Sequence, residues 1–200
     1  MASLQKTENH LDVVASRFGK VTRQKLSEDE TSQLLSLTAL SLSAFNINNC
    51  RFVVVRDPDL RKQINKFSLN QTQIPPLSSL IILCAELQNG EKNPGQDGNG
   101  ESEAAASAKK TFRRDQDRQQ RDEAMCSCGI AAQTFMLTAK AMGYDSWRLD
   151  GFHGEAIGKL INLPDEYVVG VLLLVGKNLK PTWPNAGQVN IHELMVLDQF

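Results

Sequence analysis

The sequence predicts an α+β fold: a sheet covered by helices on both faces, with one long helix buried against it. Two observations carry this. The runs at 51–56, Ser79–Glu86 and 167–175 have the length and the β-branched or aliphatic content of strands, and Ser79–Glu86 is apolar enough to be covered on both faces. Residues 122–152 read DEAMCSCGIAAQTFMLTAKAMGYDSWRLDGF and begin as a helix with almost no polar face. Such a helix is buried on nearly all sides, either centrally or against a second copy of the chain.

The elements follow in order from local signals. Residues up to Lys25 suit a helix and a loop, with Leu11, Val13, Val14 and Phe18 forming a partial apolar face. Ser27 is placed as an N-cap with Glu30 as its capping-box partner, opening a helix through Leu34, Leu35, Leu37, Leu40 and Leu42. A polar turn over 43–50 leads into the first strand. Asp57-Pro58-Asp59 forms a turn and the cap of a short helix over 60–67, and Pro75-Pro76 breaks the chain before the second strand.

Residues 88–107 read QNGEKNPGQDGNGESEAAAS, hold no large apolar side chain, and are expected to form a mobile surface loop or lid. The charged stretch 109–121 reads as a solvated helix face entering the apolar helix. Gly143 suits the C′ position that ends that helix, 144–149 is extended, and Gly151-Phe152-His153-Gly154 is a loop. A short helix over 155–162 stops at Pro164, the strand 167–175 follows, and a last strand is expected over 193–197. Helices and strands do not alternate strictly and no G-x-G-x-x-G follows a strand, which excludes a dinucleotide-binding Rossmann fold.

A length of 200 residues suits a single domain over 1–200, with 41% hydrophobic and 22% charged residues. The net charge of −1 excludes a global field drawing the chain to nucleic acid or an anionic membrane. The N-terminus lacks an apolar signal core and the apolar run at 168–175 is too short to span a bilayer, so the expected location is the cytoplasm. The four cysteines, Cys50, Cys84, Cys126 and Cys128, make no C-x-x-C and are expected to be reduced, buried thiols. Cys126-x-Cys128 lacks further ligands, so no metal site is expected.

The chain carries no nucleophile elbow, P-loop, H-E-x-x-H or paired-carboxylate signature, and no catalytic residue is singled out. A well-cored protein without its own catalytic constellation borrows chemistry from a cofactor. Backbone amides at glycine turns, small polar side chains and one or two cations are what a flavin needs.

Three segments resemble one family. The first is the helix opened by Ser27 with Ser43-Ala44-Phe45-Asn46-Ile47-Asn48 and the strand 51–56; the second is 121–152 with its closing Asp150-Gly151-Phe152; the third is Leu163-Pro164 with the strand up to Lys177. In order and spacing the chain resembles the nitroreductase superfamily of FMN-dependent oxidoreductases, as a divergent short member. The resemblance implies an α/β/α sandwich with a mixed, mostly antiparallel sheet. It also implies a homodimer with the long helix at its interface and an FMN site built from both chains.

By position, the resemblance gives Ser43 and Asn46 to the flavin, and sets Asn48 where the family has Gln. It places Ser127 near the ribityl chain or ring edge, Asp150 and Gly151 by the reactive N5, and Arg17, with Lys20 close by, at the phosphate. The same residues also suit plain structural roles: Asn46 as a turn cap, Gly151 as a left-handed turn residue, Ser127 as a small packing residue. The chain departs from the family where the N-terminal arginines are reduced to Arg17, where no cation falls near 185–188, and where Asn49-Cys50 replaces Pro-Trp. The implied activity passes hydride from NAD(P)H through FMN to a small electron-poor acceptor of nitroaromatic, quinone or enone type. The alternative is a dimer of the same fold that has lost FMN and serves as a binding or structural protein.

Overall fold

The computed structural model describes residues 25–41, 50–68, 78–87, 117–177 and 189–199, the side chains of 117–120 and 191 excepted. Its elements are α1 (Glu28–Thr38), β1 (Cys50–Val55), α2 (Pro58–Lys66), β2 (Ser79–Glu86), α3 (Asp117–Ala141), β3 (Asp145–Leu149), α4 (Gly154–Leu160), β4 (Tyr167–Gly176) and α5 (Ile191–Leu194). The N-terminal helix expected before Lys25, the turn over 43–49 and the expected lid at 88–107 lie outside the described residues.

The four described strands form one sheet in the order β1-β2-β4-β3, antiparallel at every pairing. Side chains alternate between its two faces. Ile81, Leu83, Ala85, Val171, Leu173 and Val175 pack under α1 and α3. Leu80, Ile82, Cys84, Leu172, Leu174 and Trp147 pack on the opposite side with Ile64 of α2 and Ile157 of α4. The result is the three-layer α/β/α arrangement, with β2 and β4 apolar on both sides because both sides are covered.

The alternation breaks once. Leu83 pairs with Val171 but Cys84 pairs with Val169, leaving Gly170 as the extra residue of a bulge. A bulge shifts side-chain parity by one. Val169 therefore packs with the α2–α4 core while Val168 packs with the α1–α3 core. Glycine suits the close approach there: a Cβ on Gly170 would sit 3.2 Å from Cys128 Sγ and 3.3 Å from the Leu83 carbonyl, so a neighbour would have to give way.

The helix ends follow the expected chemistry. Ser27 accepts from the Glu30 N–H at 3.2 Å and Glu30 accepts from the Ser27 N–H at 2.8 Å, closing the capping box. Asp57 accepts from Asp59 N–H at 2.9 Å to start α2 with Pro58 in its first turn. α3 ends in a Schellman motif: Gly143, at φ +79°, donates to Lys140 and Tyr144 donates to Ala139. α4 ends the same way, with Asn162 at φ +51° donating to Lys159 and Leu163 donating to Gly158.

Two expectations are corrected, those for the end of α1 and for the tail. α1 stops at Thr38, capped by Ala39, so Leu40 lies beyond it, 78% exposed. The described part of α3 opens at Asp117, within the stretch expected to be a solvated helix face. Within one chain α3 keeps an exposed stripe at helical spacing, formed by Cys126, Gly129, Ile130, Gln133 and Leu137. The tail is a helical turn over Ile191–Leu194, not a strand over 193–197; Asn190 Oδ1 accepts from His192 N–H at 3.1 Å and so starts a turn where apolar spacing suggested an extended run. No described helix is long and apolar enough to cross a membrane.

Candidate active site at one end of the sheet

Antiparallel pairing brings three strand ends to one edge of the molecule, and β3 runs toward the same edge. Cys50 opens β1 opposite Ala85, Glu86 closes β2 opposite Tyr167, and Leu149 closes β3 opposite Leu172. Past Leu149 the chain turns through Asp150 and Gly151, the latter at φ +68°, a conformation that favours glycine. This loop is pinned to the end of α2: Phe152 bridges to Ser68, and His153 N–H donates to the Phe67 carbonyl at 2.8 Å. His153 then caps α4, its Nδ1 accepting from Ala156 N–H at 3.2 Å.

Ser127 lies on α3, which crosses the sheet and packs against all four described strands; its neighbour Cys128 meets Cys50 on β1, at the opposite edge of the sheet from β3. Ser127 is buried, whereas Asp150 and Gly151 are exposed, and Asp150 pairs with Arg148 at 2.7 Å.

The first strand brings in the third segment. Cys50 directly follows 43–49, and its Sγ lies 3.1 Å from Cys128 Sγ, next to Ser127 on α3. Of the expected site residues, Ser127 is on α3 beside the Cys50–Cys128 contact, and Asp150 and Gly151 are on the turn after β3. Arg17, Ser43, Asn46 and Asn48 lie outside the described residues, the last three on the segment that enters at Cys50.

Two features here were missed from sequence. Arg51 pairs with the buried Glu86 carboxylate at 2.9 Å and lies 6.0 Å from the Tyr167 ring centroid, a cation–π contact at the same edge. Cys50 and Cys128 meet although 78 residues separate them. Cys126 and Cys50 also depart from the expected buried thiols, Cys126 being exposed and Cys50 half-buried. The Cys128 hydrogen bond and the nearby Arg51 hold the Cys50 thiol below its ordinary value against the opposing effect of burial. Contact with Cys50 and burial push Cys128 up, and burial pushes Cys84 up to about 11.

A cavity of about 300 Å³ lined by Lys25, Arg56, Arg61 and Ser78 opens at the opposite end of β1 from Cys50. Its walls include none of the residues gathered around Gly151.

The profile of the Nitroreductase family matches residues 20–177. The chain belongs to the nitroreductase family. Protein DrgA of Synechocystis sp. is 34% identical to this nitroreductase-family chain over 157 residues, covering 76% of it and 75% of DrgA. YodC of Bacillus subtilis, which is named an NAD(P)H nitroreductase, is 28% identical over 191 residues, covering 86% of this chain and 91% of YodC. A nitroreductase structure from Exiguobacterium sibiricum, solved in complex with FMN, superposes with a TM-score of 0.82 at 20% identity over 96% of each chain. The nitroreductase fold implied by the sequence is thus the fold observed.

Proposed function

We propose that this chain is an NAD(P)H-dependent flavin oxidoreductase that binds FMN at the sheet end formed by Cys50, Ser127 and Gly151. The observation that carries the reading is the family match over 20–177, because it spans all three segments that carry the resemblance. The names of YodC and of the FMN-bound neighbour support the choice of nicotinamide and flavin.

The described residues fit such a group. Gly151 offers a backbone amide in an exposed left-handed turn, and Ser127 a buried hydroxyl on α3. Bound FMN would supply hydride transfer, which no side chain of this protein can perform. The chain's own part is to hold and orient. Gly151 and Ser127 address the ring and ribityl chain, Asp150 stays near Arg148, and Ser43, Asn46 and Asn48 enter from the segment before β1. Arg17 is assigned to the phosphate.

The acceptor is a small electron-poor molecule of nitroaromatic, quinone or enone type. The working unit is a homodimer joined through the exposed stripe of α3, where Ile130 and Leu137 are each 41% exposed. The test is anaerobic reduction of the reconstituted protein by NADH or NADPH, followed at the visible flavin band, then addition of each acceptor class. Bleaching by nicotinamide and recovery with acceptor are expected. A flavin left oxidised by both nicotinamides contradicts the proposed electron donor.

A further inference from the structure

We propose that Cys50 and Cys128 form a modification site: a peroxide-oxidisable thiol pair that closes to a reversible disulfide between β1 and α3. Their sulfurs are 3.1 Å apart, on two elements that meet only through folding. A disulfide needs a separation of about 2 Å, so closure requires a movement of roughly 1 Å. Cys128 Sγ is confined from behind by the bulge, where even a Cβ on Gly170 would approach it to 3.2 Å. The pair is therefore held in place by packing.

The two thiols have different roles. Cys50 is half-buried at the start of β1, while Cys128 is fully buried. The hydrogen bond from Cys128 and the neighbouring Arg51 favour the Cys50 thiolate, and the thiolate is the nucleophile. With hydrogen peroxide as oxidant, Cys50 Sγ attacks one peroxide oxygen. The S–O bond forms, the O–O bond breaks, and the departing hydroxide leaves as water after taking a proton. Cys50 is oxidised by two electrons to the sulfenic acid and the peroxide is reduced. Cys128 Sγ then attacks Cys50 Sγ: the S–S bond forms, the S–O bond breaks, and the hydroxide takes the Cys128 proton and leaves as water. Two thiols and one peroxide become one disulfide and two waters. A dithiol reductant reverses the change.

Capture by Cys128 keeps Cys50 from irreversible oxidation beyond the sulfenic acid. The bond also fixes Cys50, at the start of β1, against α3 beside Ser127. Its effect on cofactor binding rests on the flavin reading above; the bond itself does not.

The experiment treats the full-length protein with a modest excess of hydrogen peroxide, counts thiols after denaturation, and maps tryptic peptides by mass. Cleavage after Lys25, Arg51, Arg121 and Lys140 places Cys50 in one peptide and both Cys126 and Cys128 in another, so Cys126→Ser is run in parallel. The expected result is loss of two of the four thiols and a cross-linked peptide pair that persists in Cys126→Ser. Dithiothreitol should abolish it, as should Cys50→Ser or Cys128→Ser. In Cys128→Ser, Cys50 should instead be trapped as a sulfenic acid by dimedone. Retention of all thiols, a link through Cys126, or Cys50 sulfinic acid forming while Cys128 stays free would each overturn the proposal. These readouts need no flavin, so failure here and failure of the flavin reading are distinguishable.

Discussion

Tyr144 donates its phenolic hydrogen to Glu30 Oε1 at 2.7 Å, joining the cap that ends α3 to the capping box that starts α1. The same carboxylate accepts from the Ser27 N–H through its other oxygen. One glutamate therefore closes the start of α1 and tethers a residue that follows α3, two elements far apart in sequence. Lys177, at the end of β4, lies 5.2 Å from the centroid of the Tyr144 ring and completes the junction.

This junction predicts a stability profile with two edges. The Ser27 N–H, followed by the Tyr144 hydroxyl and the Ser27 side chain, holds Glu30 below its ordinary 4.5. Its contribution is present above that ordinary value and is lost as pH falls through the lower folded one. Burial, then the Glu30 hydrogen bond and charge, push Tyr144 from 10.0 up to about 12. Its contribution is complete below 10.0 and is lost as pH rises toward about 12. Tyr144→Phe should cost about 1–2 kcal/mol near neutrality by removing the hydrogen bond. It should also flatten the alkaline edge. Thermal melts by circular dichroism across pH measure both, and an unchanged alkaline edge would mean that Tyr144 titration does not govern it.

Gly170→Ala should destabilise the fold by about 1–3 kcal/mol, as overpacking does in a close-packed core. The added methyl meets Cys128 and the Leu83 carbonyl, and the backbone oxygen has little freedom to withdraw. Denaturant melts would show a lower midpoint at unchanged slope. A midpoint equal to that of the parent would mean that the bulge relaxes freely.

Much of this architecture was legible from local chemistry. Ser27 with Glu30, Asp57 with Pro58, and Gly143 after an apolar helix are signals whose causes lie within a few residues. The uniform apolarity of Ser79–Glu86 revealed a central strand because both of its faces meet helices. What was not legible depends on distant partners. The exposed stripe of α3 cannot be told from its buried one when Ile130 and Leu137 are as apolar as Phe135. The meeting of Cys50 and Cys128 depends on strand register. The bulge had one local signal, a glycine within an apolar strand, but its opposing residue lies on β2. Gly151 was legible as a turn residue; that its loop is pinned to the end of α2 through Phe152 and His153 depends on distant partners.

The α3 stripe predicts an assembly. Leu137→Arg, combined if needed with Ile130→Asp, should convert a homodimer to a monomer in light scattering after size exclusion, while far-ultraviolet circular dichroism stays the same. Both side chains are substantially exposed in the single chain, so charge there need not disturb its core. A parent protein that is already monomeric would contradict the proposed interface.

The segments outside the described residues also carry a prediction. Arg17→Ala should weaken FMN binding about tenfold or more, the scale of one charge-assisted phosphate contact at roughly 1.5–3 kcal/mol. Asn46→Ala should weaken it more mildly. Fluorescence titration of FMN reads both, and unchanged affinity in the two variants would remove these residues from the site.

Flavin binding by the parent protein is the most direct test of the proposed function. The purified chain, incubated with excess FMN and freed of unbound cofactor, should retain one FMN per subunit, with a visible spectrum perturbed from that of free flavin. A preparation that remains colourless and leaves FMN fluorescence unchanged would contradict the flavin reading and leave a nitroreductase fold serving as a binding or structural dimer.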